Sequence, residues 1–386
     1  MVSATYHCTA CGDCCHGWQV RLIGREAEQV REYLTPLVPV KRLTAALDGQ
    51  TLHLGSEGCV SLTDDQLCRI HAAHGPQAKP ATCQIFPFSF TKTPSGIRVG
   101  ISYACPGVLD GTGHTLAEQR DEIEALYSSA VRGTGFLHTV PERIALDENV
   151  SLTWAAAESL IDGLLDALGE GASLVDGVAR VRAIIDIVRQ GMSAGQPFDD
   201  AFVRATRDAP AQAAALQRER RRSDFFSQAL VRAIVVTGSL GETNGFRRLA
   251  AVAAGLFGTR GVALRDGQTV ALGPVMAVSV GLGPEGERLV RRWLVATVQG
   301  LGFFGERVFD LSMSAGFELL TMATAAVGLV ARARAAAAGR TASTLEDAQQ
   351  AVYQIESTVY HRSAMPDRLY RLLDDTKGLD VLFENC

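Results

Sequence analysis

Lysine is scarce in this chain, which has only four (Lys41, Lys79, Lys92 and Lys377). Its 37 basic residues fall short of its 42 acidic ones, leaving a net charge of −5. The basic field that holds nucleic acid non-specifically is therefore missing, and no nucleic-acid partner is expected. Prolines number 13, and 47% of residues are hydrophobic against 20% charged, which excludes a disordered or collagen-like chain. The start, Met1 to Cys15, has neither a basic cluster nor an apolar stretch. No secretory signal is expected there, and the reducing cytosol is the expected compartment. No apolar run reaches the roughly 20 residues that a bilayer core requires. The longest, Ala315 to Ala331, contains Glu318 and leads into Arg332 and Arg334, so it reads as a core helix and no membrane span is expected. A repeat of fixed period is also lacking. At 386 residues the chain has room for two or three domains with a substantial core.

Thiols are absent from residues 106–385, and that absence shows how uneven their placement is. Eight of nine cysteines fall within the first 105 residues: Cys8, Cys11, Cys14, Cys15, Cys59, Cys68, Cys83 and Cys105. The ninth, Cys386, is terminal and reads as a free thiol. In a reducing compartment, closely spaced thiols bind metal more often than they pair as disulfides. The spacing Cys8-x2-Cys11-x2-Cys14-Cys15 lets a tight turn aim successive sulfurs at one point, as tetrahedral zinc and iron–sulfur clusters both demand. Gly12 gives that turn access to a positive φ.

Neighbouring side chains of an extended backbone point to opposite faces, so Cys14 and Cys15 do not readily serve one mononuclear site. Eight thiols suit two four-thiolate sites. The spacing suggests Cys8, Cys11, Cys14 and Cys105 around one centre, with Cys15, Cys59, Cys68 and Cys83 around another. Three close cysteines plus a distant Cys105-Pro106 echo ferredoxin ligation, so an iron–sulfur cluster, 4Fe-4S in type, is expected ahead of zinc. His16 and His71 lie near cysteines in sequence, as ligands, as donors to a sulfur, or with no role at the site. Trp18, Phe86 and Phe88 could serve electron transfer or simply core packing. Asp13, Asp64 and Asp65 are candidate bases, although Thr63 to Gln66 reads as a solvated turn.

The fold class expected is mainly α: a small cysteine-rich metal module with a short β-hairpin over 1–112, then an all-α domain over 113–386. In the module, Arg25 to Leu34 reads as a helix stopped near Pro36. Phe88 to Thr91 alternates, turns at Pro94-Ser95-Gly96, and returns through Ile97, Val99, Ile101 and Tyr103 as a hairpin that brings Cys105 back. In the second part, Thr115 with Glu118 and Ser343 with Glu346 have capping-box spacing. Ser151 is expected to cap a helix running to Leu168. Apolar periodicity predicts further helices over 173–190, 223–237, 243–257, 284–299 and 344–360. Residues 262–264 and 269–271 flank Asp266-Gly267 as a small hairpin. The arginines 218, 220, 221 and 222 read as a solvated helix face. Gly281-Leu282-Gly283-Pro284 reads as a turn rather than a nucleotide loop, and the Cys-x3-Cys-x2-Cys spacing of radical enzymes is not found.

The segments Cys8 to Cys15, Cys59, Cys68-Arg69-Ile70-His71 and Cys83-Gln84-Ile85-Phe86-Pro87-Phe88 resemble the CxxCxxCC cysteine-cluster family, described as a zinc- or iron-chelating domain. The resemblance covers roughly the first 110 residues. Cys14-Cys15-His16-Gly17-Trp18 and Ser102-Tyr103-Ala104-Cys105-Pro106 are similar to flagellin lysine-N-methylases, bacterial enzymes associated with an iron–sulfur cluster and S-adenosylmethionine. His71 departs from the family, which usually has an acidic or aromatic residue there. The resemblance implies methyl transfer to a protein lysine, with catalytic and cofactor residues unassigned. Two other readings stand beside it: a non-catalytic platform that docks a protein partner on the helical domain, and a redox or electron-transfer protein.

Overall fold

The structure is a computed structural model that describes residues 2–16, 19–55, 58–131, 135–169, 173–218, 231, 235, 261–308 and 310–359. By contact these divide into two units, one of Met1–Lys92 with Ile97–His138 and one of Thr93–Gly96 with Thr139–Cys386. The first unit takes in residues 113–138 as well as the cysteine-bearing segment. The mainly α class is observed: short strands and helices occupy the cysteine-rich unit, and long helices dominate the second.

In the first unit the helix Glu26–Leu34 forms where the sequence places it. The Glu26 carboxylate accepts from Ile23 N at 2.8 Å and from Ala81 N at 2.7 Å, so one side chain ties the residues leading into this helix to a distant segment. Ala27, Val30 and Leu34, at helical spacing, are buried. They join Val20, Leu22 and Leu52 in a small apolar core. Burying each large side chain contributes about 1.5–3 kcal/mol. A three-stranded antiparallel sheet places Thr51–Leu52 between Val20–Arg21 and Leu47–Asp48. The expected hairpin is present as Phe88–Thr93 and Gly96–Ile101, with Leu137–Thr139 beside its first strand. Thr5 pairs with Thr115 and Tyr6 with His114, which ties the start of the chain to the segment following Cys105.

The second unit contains the helices Trp154–Leu168, Leu174–Ser193, Phe198–Arg218, Gly283–Gln299, Met313–Ala337 and Leu345–Val359. Two are capped one or two residues later than expected. Ser151 lies in a strand, Ser151–Thr153, and the cap is Thr153, whose hydroxyl accepts from Ala156 N. The box expected at Ser343 and Glu346 is formed one residue on. Thr344 N donates to Asp347 at 2.9 Å and Asp347 N donates to the Thr344 hydroxyl at 3.3 Å. Phe198–Arg218 was not anticipated. Its buried residues are alanines, Ala201, Ala205, Ala209 and Ala213, and Pro210 lies inside it. The small hairpin is present as Val262–Ala263 with Thr269–Val270. The runs 223–237 and 243–257, the arginines 220–222, Trp18 and Cys386 lie outside the described residues, Val231 and Val235 excepted.

Met313–Ala337 is long and apolar enough to cross a bilayer, and 94% of its most apolar window is buried inside the chain. It is a core helix. Its polar residues are matched within the unit: Arg182 pairs with the buried Glu318, and Arg332 donates to Val278 O at 3.2 Å. Thr321 and Thr324 donate to carbonyls one turn back.

Candidate metal centre

All eight early cysteines line one cavity of about 150 Å³ in the first unit, and none is in a disulfide. Short elements bring them there. Cys14 and Cys15 sit on a single 3-10 turn, Asp13–Cys15, which follows Gly12 at φ +74°. A side chain at Gly12 would put its Cβ 2.6 Å from Gln66 O, so the loop closes against 63–67 only with glycine there. Cys59 N donates to Cys15 O at 2.8 Å, Leu62 bridges to Cys68, and Arg69 N donates to Ser61 O at 2.8 Å. Cys83 lies on the short helix Ala81–Ile85, held to the sheet by the Thr82 hydroxyl on Arg21 O at 2.7 Å. Cys105 immediately precedes the helix Pro106–Leu109.

The eight do not share one environment. Cys15, Cys59, Cys68 and Cys83 belong to or pack against the apolar core. Cys8, Cys11 and Cys14 are exposed, and Cys105 is buried outside that core. Electrostatic coupling does not respect that division: Cys105 is coupled to Cys11 and Cys14, and Cys15 to Cys59 and Cys68, but Cys83 is coupled to Cys14 as well as to Cys15 and Cys68. A Cys14–Cys15 hydrogen bond joins the two sets.

Neutral thiols are favoured at Cys14, Cys15, Cys83 and Cys105. Burial pushes the Cys105 thiol up to about 12, partly offset by the Val108 and Gly107 amides. The hydrogen bond from Cys14 favours the Cys15 thiolate, but bonding to Cys59 and burial outweigh it, and Cys15 also rises to about 12. Donation to Cys15 raises Cys14, and burial raises Cys83. The Tyr6 phenol is pushed well up, by burial first and then by Cys8 and Cys105.

The donor chemistry fits zinc or an iron–sulfur group. Soft thiols select these metals, no carboxylate lines the cavity, and polar groups point at sulfur. Ser61 N donates to Cys59 Sγ at 3.4 Å, and the Ser61 hydroxyl lies 3.5 Å from Cys68 Sγ. Among the described residues, no three His, Cys, Asp or Glu donors close on one point at the spacing of a single bound ion.

The other candidates separate. His71 and Phe86 line the cavity. His16 does not; its Nε2 is 2.7 Å from Gln66 Oε1, and its ring occupies the space that a Cβ at Gly58 would fill. Phe88 packs edge-on against Tyr6 at 5.4 Å. Asp13, Asp64 and Asp65 are not among the lining residues. Tyr6, Ser61, Gln66 and Lys79 do line it, although no motif pointed to them. Leu282 precedes the helix Gly283–Gln299, with Pro284 in its first turn, and the element before it is the helix Leu272–Ala277 rather than a strand, so the segment is a turn and not a dinucleotide loop.

Residues 7–106 match the family model CxxCxxCC, described as "Putative zinc- or iron-chelating domain". A Methanocaldococcus jannaschii protein, "Uncharacterized protein MJ0939", is 33% identical over 113 residues, 28% of this chain and 38% of that protein. "Flagellar biosynthetic protein FliU" of Salmonella muenchen is 30% identical over 113 residues, 26% of this chain and 65% of that protein. The match thus spans less than two thirds of either relative. No solved structure matches. The cysteine-rich residues 7–106 are thus similar to the CxxCxxCC domain, and the long helices lie outside that match.

Proposed function

We propose that the segment 1–112 is an iron–sulfur module with two centres, one on Cys8, Cys11, Cys14 and Cys105 and the other on Cys15, Cys59, Cys68 and Cys83. The observation that carries this reading is the convergence of all eight thiols on one cavity, in two sets that differ in packing and exposure. Sulfurs spread around a cavity suit a polynuclear group, with one sulfur on each iron. A lone tetrahedral zinc needs four sulfurs at about 2.3 Å from one point. When bound, an iron–sulfur group supplies one-electron transfer at a potential set by net charge, hydrogen bonds to sulfur and exposure. The chain's own residues bind it through thiolates, turn the Ser61 amide and hydroxyl toward two of those sulfurs, and exclude water with Val20, Leu52 and Ile70.

The test is anaerobic purification followed by iron, zinc and acid-labile sulfide analysis. Brown protein with iron and sulfide in equal amounts is expected. Colourless protein with stoichiometric zinc would replace this reading with a structural zinc platform, and metal-free protein would end both.

For the whole chain we propose transfer of a methyl group from S-adenosylmethionine to a protein lysine, in the cytoplasm, with the protein substrate docking on residues 113–386. The support is the likeness of the cysteine region to FliU and to flagellin lysine-N-methylases. Incubation with labelled S-adenosylmethionine and candidate flagellar proteins tests it. Label appearing on lysine in a cysteine-intact protein is the expected result, and its absence across substrates would leave metal binding or electron transfer as the function.

A further inference from the structure

Resting on the metal-binding reading and going beyond it, we propose that Lys79 is the charge-compensating residue of the sulfur cavity. It is a positioning residue that acts through the thiolates to set how tightly metal is held and at what potential an iron–sulfur occupant is reduced.

The argument begins with charge balance. Four thiolates around a divalent ion leave an excess of two negative charges, and a second such centre doubles it. The lining around them is apolar, with Val20, Leu52, Leu62, Ile70 and Phe86, and no carboxylate belongs to it. In surroundings of that kind an uncompensated charge is costly, and a nearby opposite charge acts strongly. Lys79 is the one lysine or arginine side chain that lines the cavity among the described residues.

Its position is fixed by the backbone. Lys79 N donates to Pro76 O at 3.2 Å, and its carbonyl accepts from Gln84 Nε2 at 2.6 Å. The next residue, Pro80, accepts from Cys83 N at 2.9 Å, so the Lys79 stem and the Cys83 thiol stand on one clamped turn. Cys14 and Cys83, one from each proposed quartet, line the same cavity as Lys79. Lysine suits the task because its ammonium is a compact point charge on a flexible stem.

The test uses the full chain with Lys79→Met, Lys79→Arg and Lys79→Glu. Cobalt, as a visible stand-in for zinc, is titrated in competition with a chelator, and the reduction potential is measured on anaerobically loaded protein. Lys79→Met is expected to weaken cobalt binding about tenfold, or about 1.4 kcal/mol, and to lower the potential. Lys79→Arg is expected to stay within about twofold of the parent, and Lys79→Glu to fall about a hundredfold. Metal-free Lys79→Met should unfold at the parent temperature, which a packing role would not allow. Equal affinity and potential in the Met, Arg and parent proteins would overturn the inference while leaving metal binding intact. Equal loss in Met and Arg would assign Lys79 to packing and overturn it too. A parent chain that binds neither cobalt nor iron would instead overturn the metal-binding reading itself.

Discussion

Replacing Gly12 by alanine, with Gly24→Ala as its control, isolates how the cysteine loop is held. Both glycines have positive φ, +74° and +53°. An L-residue in that region costs about 1–2 kcal/mol. Around Gly24 nothing lies within 4 Å of a built Cβ, so its alanine variant loses that amount and no more. At Gly12 the new Cβ meets Gln66 O at 2.6 Å and Gln66 Cβ at 3.0 Å. The nearer atom is backbone, so relief requires the loop carrying Cys11, Cys14 and Cys15 to move away from the 63–67 turn. Forcing such a shift costs about 1–3 kcal/mol more, for a total of about 2–5 kcal/mol. Because the displaced loop holds three of the eight thiols, metal retention should fall at least about tenfold. The assay is metal transfer from the full chain to a chelator, followed through the thiolate-to-metal absorption band, together with the denaturation midpoint. Gly24→Ala should retain metal like the parent. If Gly12→Ala matched Gly24→Ala in both measurements, the close approach of the two loops, and the argument for the glycine, would be wrong.

The cavity also makes metal uptake pH-dependent. Cys15 and Cys105, each pushed up to about 12, are thiols at neutral pH, so a metal must displace their protons. Affinity should rise with pH, and calorimetric heats should vary with the ionisation enthalpy of the buffer; buffer-independent heats would contradict this. For the metal-free chain the sign is opposite. Raised folded-state values favour the neutral thiols, so their contribution is intact below about pH 8.5 and is lost toward pH 12, observable as a falling unfolding temperature. In the second unit, Glu318→Ala removes the buried carboxylate while Arg182 keeps Asp186 at 3.1 Å, and should cost about 1.5–3 kcal/mol in thermal unfolding; a change below about 1 kcal/mol would mean that the pair is solvated. Thr344→Ala removes a cap and should cost about 1 kcal/mol, whereas Ser343→Ala should be neutral, because the buried Ser343 hydroxyl has no hydrogen-bond partner.

What could be read from the residues depended on how local the cause was. Glu26–Leu34 is visible because its apolar spacing and Pro36 are both local, and the hairpin because alternation and a Pro-Ser-Gly turn coincide. The cap at Thr344 was displaced by one because Ser343 and Thr344 offer the same chemistry with an acid three residues on. The helix Phe198–Arg218 stayed hidden for a physical reason. Its buried face is alanine, too small to register as an apolar stripe, and Pro210 argues against a helix. Alanine at every fourth position from Ala201 to Ala213 was the available signal. At the site, the cysteine spacing announced the sulfur-rich cavity, but nothing local marks Ser61, Gln66 or Lys79. They reach the sulfurs through pairings such as Leu62 with Cys68 and clamps such as Gln84 on Lys79 O, which exist only once the chain has folded. His16 shows the converse: adjacent to Cys15 in sequence, it is turned to Gln66.

Residue-resolved alkylation tests the central claim most directly. The anaerobically prepared chain is treated with iodoacetamide before and after metal is stripped, and each cysteine is scored by mass spectrometry. Before stripping, Cys8, Cys11, Cys14, Cys15, Cys59, Cys68, Cys83 and Cys105 should all be protected, including the three whose side chains are exposed, while Cys386 reacts. After stripping, all should become reactive under denaturing conditions. Rapid labelling of Cys8, Cys11 and Cys14 in the untreated, metal-replete chain, or recovery of any of the eight as a disulfide, would contradict it.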